Sequence, residues 1–247
     1  MKTAATDLAV VAIETATETV GVAVRAPGGV VAEFALTGRR RHVETLTPAL
    51  EHLLGQVGLV AGDLGLVVVD VGPGLFTGLR VGVAAAKGLA QSLGLGVLCA
   101  TSLDVLSAAA ADYGHSGLVL ACVDARRGEV FASVRQLDQP DEGGVTVAEP
   151  VAPALFAPSE LATTVRGLGG VPVCAVGDGA QRYGETLATV PGVSVVAPAL
   201  SYPPPTSLLR LGLARLERGE SPVDAASVVP IYMREADAKS NFAQARA

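Results

Sequence analysis

The sequence predicts an α/β fold in two lobes, 1–112 and 113–247, each opening with strand, acidic residue, turn and strand. Three observations predict it. Apolar runs of strand length alternate with stretches of helical periodicity. Val10 to Arg25 lies over Leu120 to Arg135 without a gap, matching Glu14 to Asp124, Val20 to Val130, Val24 to Val134 and Arg25 to Arg135, as an internal structural repeat would. Between the two copies, a buried-strand pattern from Leu66 to Val71 runs through a glycine-rich turn into a helix.

Taken in order, an apolar strand from Leu8 to Ile13 ends at Glu14. After a polar turn the chain resumes as VGVAV, turns at APGG and returns as VVAEFAL, a meander. His42 to Leu54 reads as a helix with Leu46, Leu50 and Leu53 on one face, and Pro48 leaves two starts open: first helical residue after Thr47, or a proline inside a helix begun earlier. Gly72, Pro73 and Gly74 supply tight-turn chemistry, and a helix is expected from Phe76. On it Leu79, Val83, Ala86, Ala90 and Leu93 form an apolar stripe, with Arg80, Lys87 and Gln91 on another face. Gly78, Gly82 and Gly88 each cost about 1 kcal/mol of helix propensity against alanine, so close packing should offset them, inside the lobe or against a partner helix.

A strand is expected at Val97 to Ala100, a helix at Ser102 to Ala111, and a break at residues 114–117 that opens the second lobe. There a strand from Leu118 to Val123 ends at Asp124, and VFASV follows a short turn. Residues 138–158 read as loop or edge structure. Pro172 to Val176 is a strand, and Gly177, Asp178, Gly179 and Ala180 read as a plain turn, with approach to a nucleotide as the sharper option. Thr206 to Arg218 is a helix behind three prolines, and the tail from Glu235 is polar.

Composition excludes several classes. With 247 residues, 50% of them hydrophobic, the chain has ample material for a core. A net charge of −6 gives no electrostatic footprint for binding nucleic acid alone, and Arg39, Arg40 and Arg41 are the one local basic cluster. No apolar run is long enough to span a membrane and no signal-peptide pattern opens the chain, so a cytoplasmic protein is expected. Cys99, Cys122 and Cys174 lie in apolar surroundings without metal or redox spacing and read as buried reduced thiols. Only His42, His52 and His115 are present, at no metal-binding spacing, and no GxSxG or GxxxxGK[ST] motif exists. What remains for ligand chemistry is the pair of strand-end acids, Glu14 and Asp124, with the turn at Gly177, Asp178 and Gly179. Lys87, beyond a glycine-rich turn, reads as a partner ion pair or a surface lysine rather than a phosphate contact.

The segments IETATETVGVAV, RHVETLTPALEHLL, GPGLFTGLRVGVAAAKGLA, TSLDVL, VDARRGEVFASV, GDGA and PIYMR, in this order, resemble the TsaB family, accessory subunits of the bacterial machinery that makes threonylcarbamoyladenosine in transfer RNA. The resemblance implies an α/β, two-lobed actin/sugar-kinase-like (ribonuclease H-like) fold, each lobe a mixed sheet with flanking helices. It implies a non-catalytic subunit that holds a TsaD-type transferase through its first-lobe helices, with a TsaE-type ATPase joining the assembly, transfer RNA reached only through the complex, and a homodimer when the partner is absent. The residues expected at that interface are His42, Leu46, Leu50, Leu53, Phe76, Leu79, Arg80, Gly82, Val83, Ala85, Ala86 and Lys87. Ala85→Arg or Gly82→Leu is then expected to break association while leaving the monomer folded. No intrinsic cofactor is implied, with ATP and magnesium entering only within the complex. Glu14 stands where the family has aspartate, and the longer acid argues against an actin-like magnesium site. The competing reading is an autonomous nucleotide-dependent enzyme of the same fold, using Glu14 and Asp124; a glycoprotease lacks both metal ligands and a nucleophile.

Overall fold

The computed structural model describes residues 7–38, 42–137, 146–196 and 198–234. The Arg39 to Arg41 cluster and the tail from Glu235 lie outside them. Among the described residues, ten strands form two sheets of five. The first holds β1 (Val10–Glu14), β2 (Thr19–Arg25), β3 (Val31–Thr37), β4 (Leu66–Asp70) and β5 (Val97–Ala100) in the order β3-β2-β1-β4-β5. β1, β2 and β3 pair antiparallel, whereas β1, β4 and β5 run parallel.

The second sheet repeats that plan. β6 (Gly117–Arg126), β7 (Glu129–Leu137), β8 (Thr146–Phe156), β9 (Val173–Val176) and β10 (Val193–Val195) lie in the order β10-β9-β6-β7-β8. β6, β7 and β8 are antiparallel, and β6, β9 and β10 parallel. The first strand of each set is central; it ends at Glu14 in one lobe, and in the other it carries Asp124 two residues before its end at Arg126, where the pairing with β7 shifts register. One plan of a mixed five-stranded sheet with flanking helices thus occurs twice, and it explains the alignment of residues 10–25 with 120–135.

The strands sort their side chains by the period of two. Val11, Ile13, Val67 and Val69 face α1 (His42–Gln56) and α2 (Phe76–Leu93), meeting Leu46, Leu53, Val83 and Ala86. Val10, Ala12, Leu66 and Val68 face the other way, onto Leu208 and Leu209 of α7 (Pro205–Glu217) and Val105 of α3 (Ser102–Asp112). α3 is sandwiched: Leu103, Leu106, Ala109 and Ala110 pack on Val119, Ala121 and Val123 of the second sheet. The outer face of that sheet takes Leu161 and Val165 of α4 (Pro158–Arg166), Ala180 of α5 (Asp178–Arg182) and Leu187 of α6 (Gly184–Leu187). The layers therefore run α1/α2, first sheet, α3 and α7, second sheet, α4 to α6. A cut at 112/113 separates the strands, but α7 returns from the second half of the sequence to cover the first sheet.

α3 is held at both ends of its logic. Thr101 and Asp104 form a reciprocal N-terminal cap, at 3.0 and 2.9 Å. Asp104 also pairs with the buried Arg135 of β7 and, at 3.0 Å, with Arg215 of α7, and these two guanidinium groups hold its carboxyl below the usual range although burial opposes them.

Several expectations change in detail. Pro48 sits inside a helix that begins at His42, the second of the two starts. Residues 146–156 are an edge strand, the second of the two options left open for residues 138–158. The segment from Gly177 is no plain turn but the entry to α5, for which Gly177 supplies a φ of 103°. Of the cysteines only Cys122 is fully buried, with Cys99 and Cys174 half-buried. Among the described residues, no helix is long and apolar enough to cross a membrane.

Candidate functional site

Glu14 ends β1 and Asp70 ends β4, and because these strands are parallel neighbours with Ile13 beside Val69, the two carboxyls meet. Both are fully buried. The Ala16 N–H donates to Glu14 Oε1 at 2.8 Å; the Gly72 N–H and the Ser102 hydroxyl donate to Asp70 Oδ1 at 2.7 and 2.9 Å. The remaining oxygens, Glu14 Oε2 and Asp70 Oδ2, receive no other donor. Two ionised carboxylates in so dry a place would be prohibitively costly, so one proton lies between them. Burial, then the Asp70 charge, raises Glu14 well above the ordinary glutamate range; burial raises Asp70 as well. Glu14 therefore turns inward and reaches no cleft. Asp70 escapes sequence reasoning, since only the parallel pairing of two strands 52 or more residues apart brings it to Glu14; its signal was the shared habit of an apolar strand ending in an acid.

In the second lobe Asp124 is equally engaged. It accepts from Arg126 at 2.9 Å and from Arg182 at 3.3 Å. Arg126 crosses between the lobes to Glu18 at 2.5 Å, and the Tyr202 hydroxyl stands 3.5 Å from the other Glu18 oxygen. The two strand-end hairpins, which would have to part around a nucleotide, are thus bridged by an ion pair. Asp178 Oδ1 accepts the Asp124 N–H at 2.9 Å, and burial pushes Asp178 up to about 6. The glycines beside it serve packing: a Cβ at Gly177 would lie 2.0 Å from the Cys122 carbonyl oxygen and one at Gly179 2.8 Å from Cys122 Sγ. The five residues proposed for a cofactor, Glu14, Asp124, Gly177, Asp178 and Gly179, are each committed within the chain and form no open cradle. Among the described residues, no three His, Cys, Asp or Glu side chains gather to hold a metal.

The helices expected at an interface divide into an inner and an outer face. Leu46, Leu53, Val83 and Ala86 are buried against the first sheet, and Leu79 and Gly82 are buried as well, so these six support the surface from beneath. His42 is buried too, its Nε2 3.0 Å from the Thr17 carbonyl oxygen. Leu50 and Ala85 are half-buried on the same core. The small residues of α2 answer an internal need: a Cβ at Gly78 would come within 2.1 Å of the Thr15 carbonyl oxygen, and one at Gly82 within 2.1 Å of Thr15 Oγ1. Gly82→Leu would accordingly break the lobe, contrary to the expectation that the monomer survives it. The Lys87 Nζ donates to the carbonyls of Ala226 and Val228 at 3.1 and 2.9 Å, tying the C-terminal segment to α2.

Phe76 and Arg80 do face outward. With Thr77, Val81, Ala84 and Val43 of α1 they line a shallow, mainly apolar groove. Val43 is 72% and Phe76 49% exposed, a cost in water that a covering protein would remove. Val43 was missed because it lies off the leucine stripe that defines α1.

A family model described as TsaD: tRNA N6-adenosine threonylcarbamoyltransferase matches residues 12–242. The Escherichia coli tRNA threonylcarbamoyladenosine biosynthesis protein TsaB is 29% identical over 225 residues, 91% of this chain and 94% of that one. The Bacillus subtilis protein of the same name is 35% identical over 129 residues, about half of each chain: 52% of this one and 56% of that one. Among solved structures, YeaZ from Pseudomonas aeruginosa superposes with a TM-score of 0.78 at 27% identity, covering 91% of this chain and 99% of that one. Matched along nearly its whole length by that model, by the Escherichia coli TsaB protein and by the YeaZ structure, the chain belongs to the TsaB branch of the threonylcarbamoyltransferase family.

Proposed function

We propose that this chain is a non-catalytic accessory subunit in the synthesis of tRNA threonylcarbamoyladenosine, and that it binds and activates a TsaD-type transferase through the outer face of α1 and α2. The observation that carries this reading is the contrast between the two candidate sites. The strand-end acids are consumed by contacts within the chain, whereas Val43, Phe76 and Ala84 leave an apolar helix face without cover. The names of the TsaB relatives supply the pathway, and the TsaD family model supplies the class of partner. The transferase carries the chemistry, a TsaE-type ATPase joins the assembly, transfer RNA is met through the complex in the cytoplasm, and without its partner the chain pairs with itself through the same face.

Nucleoside mass spectrometry of tRNA from a depleted strain tests the role: threonylcarbamoyladenosine is expected to vanish and to return with the wild-type gene, and an unchanged level sinks the proposal. For the surface, Ala84→Arg places a charge in the centre of the groove and is expected to weaken binding of the transferase by at least about 2 kcal/mol, as loss of a buried anchor does, with an unchanged melting temperature. Co-purification that survives Ala84→Arg would move the interface elsewhere.

A further inference from the structure

At the N-terminal end of α2 the groove opens into a cavity of about 750 Å³ between the lobes, walled by α2, the β6–β7 hairpin and residues 231–234. Phe76 and Arg80 line both spaces, so groove and cavity are one continuous surface. Arg80 is built into that junction. Its Cζ lies 3.7 Å from the centroid of the Phe76 ring, its Nε donates to the Tyr232 hydroxyl at 3.1 Å, and the Phe76 and Tyr232 rings stand 5.3 Å apart. The guanidinium is therefore fixed in plane by a ring on one side and a hydroxyl at its base, while its two terminal nitrogens have no hydrogen-bond partner among the described residues. Such a fork, already ordered and with donors to spare, matches a carboxylate.

The surroundings have the sign and texture for it. Four arginines, Arg80, Arg126, Arg127 and Arg234, line the cavity against one acid, Asp124, which Arg126 covers. Glu18 and Glu129 hold Arg126 and Arg234 in place, and Arg80, positioned by Phe76 and Tyr232, is the receptor. Phe131, Ile231 and Met233 make the rest of the wall apolar. A nucleic-acid backbone calls for a broad basic face, which a chain of net charge −6 lacks. We infer that the cavity receives an aspartate or glutamate side chain, flanked by an apolar one, from the protein that covers the α1–α2 groove, with Arg80 as its bidentate partner. This rests on the proposed docking of a transferase on that groove and adds the chemistry of one anchor.

The test measures binding of the full-length chain to the TsaD-type transferase of the same cell by calorimetry, at low and high salt. Arg80→Glu is expected to weaken binding roughly tenfold or more and to reduce its salt dependence, and Arg80→Lys, which keeps the charge without the fork, to lose less. Arg80 is exposed, so both variants should melt with the wild type; if Arg80→Glu does not, the comparison of wild type with Arg80→Lys and Arg80→Gln decides. Wild-type affinity in Arg80→Glu, alongside lost binding in Ala84→Arg, overturns the anchor and leaves the interface standing. Absence of any wild-type binding overturns the interface as well. Direct binding of tRNA by the isolated chain that Arg80→Glu abolishes would overturn the choice of a carboxylate in favour of phosphate.

Discussion

Gly78→Ala should lower the stability of the folded chain by about 2 kcal/mol, although the same change in an exposed helix would raise it. Alanine contributes about 1 kcal/mol over glycine through helix propensity alone. At Gly78 the new Cβ would sit 2.1 Å from the Thr15 carbonyl oxygen, and 3.3 Å from His42 Nε2. The obstacle is main chain, in the turn between β1 and β2, so α2 must lift from the sheet and loosen Val83 and Ala86 behind it. Overpacking of this kind costs about 1 to 3 kcal/mol, and the backbone clash puts it at the upper end or beyond. Gly88, on the same helix with nothing within 4 Å of its Cβ position, provides the opposite case: Gly88→Ala should stabilise by up to about 1 kcal/mol. Urea midpoints of the two variants should move in opposite directions. A common direction would mean that propensity rather than packing governs the helix.

Glu14→Gln should make the protein more stable than wild type at alkaline pH and leave it nearly unchanged at acid pH. The folded chain keeps a proton on the Glu14–Asp70 pair that the unfolded chain releases near the ordinary glutamate value of 4.5. Protons are thus bound more tightly by the native state, so stability is fully present below about 4.5, falls as the pH rises toward the raised folded value, and is flat above it. Each pH unit inside that window costs the wild type up to about 1.4 kcal/mol. The glutamine amide supplies a permanent N–H in place of the titrating proton, while its oxygen still accepts from Ala16. Asp178, raised to about 6, bends the curve in the same sense, and Asp104, lowered by Arg135 and Arg215, bends it in the opposite one; both cancel when variant and wild type are compared at equal pH. A difference in melting temperature that stays constant between about pH 5 and about pH 9 would show that no shared proton exists.

The architecture was legible because it is written in local terms. Apolar runs ending in acid or glycine located the central strands, and α2 begins at Phe76 as its periodicity predicts. The repeat of Glu14 in Asp124 gave two lobes, and the sheets reproduce each other strand by strand. What stayed hidden depends on contacts between distant parts of the chain. Small residues at Gly78 and Gly82 announce a close approach without saying to what, and it was Thr15 of the same lobe. A strand-end acid announces a polar need, and Glu14 meets it with Asp70 rather than a ligand. The GDGA segment has turn composition, yet once Gly177 has taken its positive φ the next five residues coil against β6. The outer face of α1 and α2 was found through Phe76 and Arg80, but Val43, more exposed than Phe76, has no periodic signature.

The return of α7 to the first sheet also governs how the protein is made. Val10, Ala12 and Val68 keep one side open to water until Leu208 and Leu209 arrive, and Gly212 lets α7 settle so closely that a Cβ there would meet Val68 at 2.6 Å. Val223 bridges to Val97, and Lys87 holds the carbonyls of Ala226 and Val228. A ribosome must therefore deliver the chain through about residue 228 before the earliest strands can be sealed. The lobes should mature together in one late, cooperative step dominated by long loop closures, with the half-built first sheet the natural client of a chaperone in the meantime.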